Sequence, residues 1–467
     1  MTHVLVLTTE SLPYTGLPTT GAGLRAWGLA EGLRSAGLQV TIAMASDAVE
    51  GKAIHDPRFS PETNLFHRRD LTPFVNQVAP DVIVFQHWGI MKELKAASCP
   101  IALDLAGPHL LERSFWSGGD KQNDSAQYEK DLAEKLDALR RADFVACSGK
   151  FQRLYFLPFL AMAGFPITKD ALPVIPFSVA PDPPPGIDAF HDPEIFVYGG
   201  MFLPWQNPEK PLAWLLECFD RCGKGKLLFY GGAHPTMDVS RGQFDRLIQK
   251  LSSHKRVKMS GILPFDQLCG EYVRSGMALD LLGKNPEREL AFTTRTLVYM
   301  WCGLPVIYNN YSELSSYIEA SGAGWTLDPS DEKSFKKIIL GILEGGINIE
   351  ENRLAARRLV REQFDWTKTI APLAEFCLSP LFREGKTGNK LAFETRSLRM
   401  EELEKNLEQA RSELLTLKGK LWYRLYKKSN LLSWILAPFV FLLFLILCIF
   451  FLLATLVSDL FSPAKKN

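Results

Sequence analysis

The sequence predicts an α/β fold: two successive doubly wound halves followed by a helical carboxy-terminal extension. Three observations predict it. Short apolar runs of strand length alternate with segments of helical periodicity over roughly the first 380 residues. A proline-rich stretch interrupts that alternation midway. From Arg396 the pattern changes to a heptad seam and then to a long uncharged apolar run.

The chain has 467 residues, enough for two or three domains at roughly 150 residues each. A hydrophobic content of 46% supports large cores, and a net charge of +1 gives no case for a nucleic-acid partner. The eight cysteines are scattered without a Cys-x-x-Cys pair. No metal site is expected from them, and the pattern suits a reducing compartment. The amino terminus lacks a basic region followed by an apolar core and cleavage site, so no signal peptide is expected.

In the first half, Val4–Leu7 reads as a buried parallel strand. A loop rich in Gly, Pro and Thr follows and contains Gly21 and Gly23. Leu24–Arg34 has helical spacing, Gly37 stops it, and Gln39–Ala43 is the next strand. The result is a βαβ unit with a glycine-containing turn at the strand's carboxyl end, where open α/β sheets bind ligands. The loop is too long for a tight Gly-x-Gly-x-x-Gly turn. Further strands are expected at Asp81–Phe85, Ile101–Leu105 and Phe144–Cys147, with a polar helix over Ser125–Arg141. Asp104 is the odd member of its strand: it either faces the crevice or caps the following turn. His109 lies on the loop just beyond. The polar loop from Phe115 to Asn123 can shape an acceptor site.

The prolines between Pro173 and Pro193 mark a linker. The expected organisation is a first domain over 1–175, a linker over 176–193 and a second domain over 194–363. A helix over 364–380 would follow, then a coiled coil over 396–421 and a membrane span over 431–457. In the second domain, Glu194–Gly200 and Lys226–Gly232 are strands ending in paired glycines, which let a ligand approach the backbone closely. Gly199, Gly200 and Gly231, with His234 beyond, are therefore candidate binding residues. Val257–Gly261 and Met277–Leu282 are further strands. Thr293, Thr294 and Thr296 surround Arg295 ahead of the apolar run Leu297–Trp301, which ends at Gly303 and Pro305 before a strand-like Val306-Ile-Tyr. This reads as a capped helix start. Such a start carries unpaired N–H groups and the positive end of a dipole, and Arg295 adds a forked donor for phosphate. Two glycine-ended strands and this helix start would surround one crevice.

Met400, Leu403, Leu407, Ala410, Leu414, Leu417 and Leu421 alternate spacings of three and four, predicting a short coiled coil and hence a homodimer. Lys418, Lys420, Arg424, Lys427 and Lys428 crowd beside Trp422, Tyr423 and Tyr426. Leu431 to Val457 then carries no charged residue. At ~1.5 Å per residue this run is ~40 Å long, enough for one tilted span of a ~30 Å hydrocarbon core. Only Lys465 and Lys466 follow it, so the positive-inside rule places the large domains in the cytoplasm.

Taken together, five pieces resemble a GT-B glycosyltransferase near the retaining family 4 type. They are Gly21-Ala-Gly-Leu-Arg-Ala-Trp-Gly-Leu-Ala-Glu, Asp104-Leu-Ala-Gly-Pro-His-Leu-Leu-Glu, Tyr198-Gly-Gly-Met-Phe-Leu-Pro-Trp-Gln-Asn-Pro, Gly231-Gly-Ala-His-Pro and Thr294-Arg-Thr-Leu-Val-Tyr-Met-Trp-Cys-Gly-Leu-Pro-Val. The resemblance covers roughly residues 1 to 380. It implies two Rossmann-like domains facing a cleft, with a nucleotide-sugar donor mainly on the second and the acceptor mainly on the first. It also implies a last helix crossing back to the first domain.

On this resemblance Asp104, His109 and Arg295 are the catalytic candidates. Gly21, Gly23, Gly199, Gly200, Lys210, Gly231, His234, Glu289, Thr293, Thr294 and Thr296 are the donor-binding candidates. No metal or other cofactor is required. The family's paired glutamates, however, fall on Leu290 and Val298, with Glu289 adjacent to the first. The expected function is sugar transfer to a lipid-linked or other saccharide acceptor in bacterial surface polysaccharide or lipopolysaccharide synthesis, at the inner membrane. A sugar-nucleotide epimerase and a catalytically degenerate membrane-tethered scaffold are the alternatives.

Overall fold

The computed structural model describes residues 1–49, 54, 56–115, 121–232, 242–384, 403, 405–416 and 431–461, the side chains of 121–124, 431–436 and 454–461 excepted. The chain divides into one unit over Met1–Asn389 and a second over Lys390–Asn467.

The first unit contains two parallel six-stranded sheets. The first comprises β1 (His3–Thr8), β2 (Gln39–Ala45), β3 (Leu65–Phe66), β4 (Val82–Phe85), β5 (Ile101–Leu105) and β6 (Phe144–Cys147), in the order β3-β2-β1-β4-β5-β6. The second comprises β7 (Asp192–Met201), β8 (Lys226–Gly232), β9 (Val257–Met259), β10 (Ser275–Asp280), β11 (Val306–Asn309) and β12 (Gly324–Leu327), in the order β12-β11-β10-β7-β8-β9. Both orders are the doubly wound one, with a reversal between β1 and β4 and between β7 and β10. At such a reversal the crossover helices diverge to opposite faces and leave a crevice at the strands' carboxyl ends.

The apolar runs form central strands because helices cover both of their faces. Val4 pairs in register with Val40 and Val82, and all of β4 and β5 is buried. The expected strands occur with ends that match or are shifted by one or two residues. Two strands escape the sequence reading, and both lie at a sheet edge. β3 has two residues, and β12 (Gly-Trp-Thr-Leu) is only half-buried along its length, so neither displays a continuous apolar run.

The two halves are strapped together twice. In the proline-rich linker, Val179 forms an isolated parallel bridge with Asp365, and the Trp301 indole donates to the carbonyls of Ala180 and Asp182 at 3.0 Å each. Past Asp365, the helix Ala371–Leu378 buries Leu373, Ala374 and Cys377, with Ile370 ahead of it, in the core of the first sheet against Leu29 and Leu33. Gly32 permits this approach: a Cβ there would lie 2.9 Å from the Ile370 Cβ.

In the second unit, residues 405–416 are helical, and Leu403, Leu407 and Leu414 are exposed. Most of the heptad seam expected over 396–421, including Met400, Leu417 and Leu421, lies outside the described residues, as does the basic cluster from Lys418 to Lys428. Leu431–Phe461 forms one helix containing Pro438. Among the described residues no helix is long and apolar enough to cross a membrane. The expected span, Leu431 to Val457, extends beyond the described side chains at both ends.

One core residue breaks the usual burial rule. Lys135, on the helix Lys121–Arg141, is 1% exposed and lies over the rings of Tyr155, Phe156 and Phe159, with Nζ 5.2, 4.5 and 4.1 Å from their centroids. Burial pushes its ammonium down to about 7. A depressed lysine binds fewer protons folded than unfolded, so it destabilises the fold below the free-lysine range and the penalty fades as pH rises toward 10.5. Lys135→Met should therefore stabilise the protein on the order of 3 kcal/mol at pH 7. That gain should shrink steadily up to pH 10 in denaturant titrations.

Candidate active site

A cavity of about 350 Å³ lies between the carboxyl ends of the two sheets. From the first half it is lined by Thr20, Gly21, Gln86, His109, Glu112 and Gln152. The second half contributes Gly199, Gly200, Gly231, Tyr230, Glu287, Arg288, Thr293, Thr294 and Arg295.

Two helices begin at this cavity. Gly21–Ser35 follows β1, with Thr20 as its N-cap accepting from the Gly23 N–H at 3.4 Å. Thr294–Trp301 follows β10, with Thr293 as N-cap. The Thr293 hydroxyl does not close its own helix end; it bonds Thr296 Oγ1 at 3.0 Å and the Tyr308 hydroxyl at 2.8 Å. The helix start therefore keeps its N–H groups available for an anion. The two starts nearly touch, because a Cβ on Gly21 would lie 3.1 Å from Thr294 Oγ1. Any other residue at position 21 would crowd the gap.

Arg295 lines the same cavity. Its Nη1 donates to the Tyr198 hydroxyl and to the Gly199 carbonyl, each at 3.2 Å, and its Nη2 donates to Gln206. Its Nε lies 3.8 Å from Asp280 Oδ1. Burial alone would lower its pKa; Tyr198 and Asp280 outweigh that and hold the guanidinium charged. Gly200 makes room for it: at φ +149°, a Cβ would stand 2.4 Å from Arg295 Nη1. A Cβ on Gly199 would overlap the Tyr272 hydroxyl, and one on Gly231 would overlap the Gly200 carbonyl, so both glycines also serve backbone packing.

Several expected site residues stand elsewhere. Asp104 does not line the cavity: Arg25 holds both its oxygens, at 2.9 and 2.8 Å, and Arg25 Nη1 also donates to the Pro176 carbonyl at 2.7 Å. The pair is buried, so Asp104 positions the first helix against the linker rather than meeting a substrate. Gly23 is required by the backbone, since a Cβ would lie 2.2 Å from the Ser11 carbonyl. Thr296 is fully buried and donates to Asp280. Lys210 is exposed and borders a separate depression with Glu209, Lys284 and Asp328. Glu289 pairs with Lys284 at 3.4 Å, outside the cavity. His234 lies outside the described residues.

The cavity instead contains a charged cluster of which the sequence reading singled out only His109. On the short helix Pro286–Leu290, Arg288 grips Glu287 at 2.5 and 2.6 Å, and both are buried. Burial pushes the Glu287 carboxyl above its ordinary value, against the pull of Arg288. On the facing half, His109 opens a short helix, and its Nδ1 lies 3.2 Å from Glu112 Oε2. Burial would raise Glu112, but His109 and Arg288 outweigh it and hold the carboxyl below its ordinary value. The ring of His87 stands 4.6 Å from that of His109. Burial and the neighbouring His109 keep His87 neutral, and its Nδ1 accepts from the Gly89 N–H at 2.9 Å. One cue to the second-half pair was available: Asn285-Pro286 is an N-cap and first-turn signature, directly ahead of Glu287. Among the described residues no group of three or more His, Cys, Asp or Glu is arranged to hold a metal ion.

No family model matches this sequence, and no curated protein matches it. Solved structures do match. The chain is similar to sucrose-phosphate synthase from Thermosynechococcus elongatus, with TM-score 0.57 and 16% identity over 80% of this chain and 98% of that one. It is similar to a variant of S. aureus TarM in complex with fondaparinux, α-GlcNAc-glycerol and UDP, with TM-score 0.58 and 9% identity over 81% of this chain and 100% of that one. It is also similar to Anabaena HepE in complex with UDP-glucose, with TM-score 0.53 and 15% identity over 82% of this chain and 100% of that one. The fold is that of the GT-B glycosyltransferases: two Rossmann-like domains facing a cleft.

Two substitutions separate scaffold from site. Asp104→Ala strands a buried guanidinium and should cost about 3–5 kcal/mol of stability, largely recovered by adding Arg25→Met. Gly200→Ala strains the backbone at φ +149° and presses on Arg295 Nη1, so it should displace the guanidinium and lower the melting temperature, but by less than Asp104→Ala does, read by thermal denaturation.

Proposed function

We propose that this protein is a nucleotide-sugar-dependent glycosyltransferase. The observation that carries the reading is the convergence of two helix starts, at Gly21 and Thr294, with the Arg295 guanidinium on one interdomain cavity. As the glycosidic bond to a nucleoside diphosphate breaks, negative charge collects on the departing phosphate. Backbone N–H groups of the two helix starts and Arg295 are fixed in place before the reaction, so they meet that charge without reorganising. The glycine-ended strands β7 and β8 let the donor lie against backbone, in keeping with the UDP and UDP-glucose in the TarM and HepE complexes.

The sugar side of the cavity falls to the charged cluster. His109, oriented by Glu112, contacts a hydroxyl of the sugar or acceptor from the first half. Glu287, set by Arg288, takes the donor-binding role expected of Glu289. Retention of anomeric configuration follows from the resemblance to the family 4 type. The acceptor is a membrane-associated or saccharide molecule, in keeping with the uncharged run Leu431 to Val457 and the basic residues ahead of it. On this reading the span anchors the chain in a bacterial inner membrane with the catalytic domains cytoplasmic. The heptad seam pairs two copies, and the product enters surface polysaccharide or lipopolysaccharide synthesis. A non-catalytic scaffold is the second reading, favoured by Leu290 and Val298 at the positions of the paired glutamates.

A donor screen with purified, detergent-solubilised protein, paired with UDP and GDP calorimetry, decides between these readings. Wild type should bind one diphosphate and turn over its sugar nucleotide. Arg295→Ala should lose about 10²–10³-fold in turnover, the scale of removing one preorganised donor. Glu287→Gln should also lose turnover, whereas Lys210→Ala and Glu289→Ala should stay near wild type. Normal kinetics in Arg295→Ala would refute the site, and wild type binding neither diphosphate would leave the scaffold.

A further inference from the structure

The helix Lys150–Met162 of the first half has no cap of its own. Its N-cap residue is Gly149, which has no side chain to accept from the first N–H groups. The acceptor comes from the other half. Glu313 opens the helix Glu313–Ser321, and its carboxylate accepts from the Phe151 N–H at 3.0 Å and from the Lys150 N–H. Gly149 is required for this approach, since a Cβ there would lie 2.8 Å from Glu313 Oε2. Glu313 is buried. One carboxylate thus serves two helix starts, its own and that of a helix in the facing half.

The residue ahead of Glu313 leads back to the donor side. Ser312 is the N-cap of that helix, yet its hydroxyl donates to the Tyr308 hydroxyl at 3.0 Å. Tyr308 in turn meets Thr293 Oγ1 at 2.8 Å, Thr293 donates to Thr296 at 3.0 Å, and Thr296 donates to Asp280 Oδ2. All five residues are buried. Their hydroxyls donate in a single direction and end on a carboxylate, an arrangement in which each bond polarises the next. Among the described residues Asp280 Oδ1 accepts no hydrogen bond, and it lies 3.8 Å from Arg295 Nε. The chain therefore runs from the guanidinium of the cavity to the residue beside Glu313. On the far side of Glu313, the helix it caps carries Gln152, 1% exposed, into the cavity wall of the first half.

We propose that Glu313 is a positioning residue that couples the diphosphate end of the cleft to the acceptor wall of the first half. The inference rests on the diphosphate reading of Arg295 given above and adds a route between the two subsites. A diphosphate against Arg295 draws part of the guanidinium's field away from Asp280. Asp280 then leans harder on the Thr296 hydroxyl, and each hydroxyl behind it is polarised in turn. The start of the helix Glu313–Ser321 becomes firmer, and with it the carboxylate that holds Lys150 and Phe151. Gln152, next in the chain, is set most firmly when the donor is in place. A merely structural Glu313 would hold the two amides equally well with and without the diphosphate.

The test follows amide hydrogen exchange at Lys150 and Phe151 in the detergent-solubilised full chain, residue by residue. Exchange is read with and without saturating UDP or GDP, whichever calorimetry shows to bind. In wild type the diphosphate should slow both amides by about 5-fold or more, the lower end of ordinary coupling between sites. Glu313→Ala should exchange fast in either condition, and Glu313→Gln, which keeps an acceptor oxygen, should recover part of the protection. Tyr308→Phe keeps the ring but breaks the hydroxyl chain. It should retain the resting protection and lose the response to a saturating diphosphate. Should Glu313→Ala not fold, Glu313→Gln and Tyr308→Phe carry the test. A saturated wild type with unchanged exchange at Lys150 and Phe151 overturns the proposal alone, and so does a Tyr308→Phe that responds as wild type does. Wild type that binds neither diphosphate overturns the glycosyltransferase reading and this inference with it.

Discussion

The centre of this molecule depends on the close meeting of two helix starts at Gly21 and Thr294. Two helices, one from each sheet, point their starts at the same gap, where a Cβ on Gly21 would press on the Thr294 hydroxyl at 3.1 Å. Helix starts carry unpaired donors and partial positive charge, so two of them facing one another repel unless an anion lies between. The Arg295 guanidinium increases the same demand. The arrangement stores an electrostatic need that an anion satisfies.

The rest of the fold holds those two starts in place. The buried Arg25–Asp104 pair ties the first helix to its own sheet and to the linker at Pro176. The linker bridge at Val179, the Trp301 indole and the helix Ala371–Leu378 tie one half to the other. Buried ionic pairs are weak sources of net stability, but removing one partner leaves an uncompensated buried charge and is strongly destabilising. Here both oxygens of the carboxylate and all three nitrogens of the guanidinium are used, which leaves the first helix one orientation.

The cavity divides by chemistry. One side is glycine backbone, helix starts and Arg295, suited to an anion that must be approached closely. The other is the His109–Glu112 and Glu287–Arg288 cluster, whose members come from opposite halves and whose carboxyl groups are pushed in opposite directions by their surroundings. Such divergence lets neighbouring carboxyls take different roles at one pH. Burial and the local partners, His109 for Glu112 and Arg288 for Glu287, set most of it, and Arg288 and Glu112 also act on each other's partner across the cleft.

The order of strands and helices was legible in the sequence because short apolar runs bounded by turn residues, alternating with segments of helical periodicity, mark strands buried on both faces. The glycine-ended strands and the threonine-flanked Arg295 were legible because close backbone approach and helix capping are local matters. The short edge strands β3 and β12 were not, since partial burial leaves no periodic signal. Nor did local pattern separate Asp104, whose carboxylate is consumed by Arg25 seventy-nine positions away, from a substrate-facing acid. Lys210 and Glu289 had the right charge for the donor site and Glu287 the same charge as its neighbour. Which of them reaches the cavity depends on helix phase and on the packing of one half against the other. Local sequence determined which residues could serve an anion, and the tertiary structure decided which ones do, because facing across a cleft is a relation between segments distant in the chain.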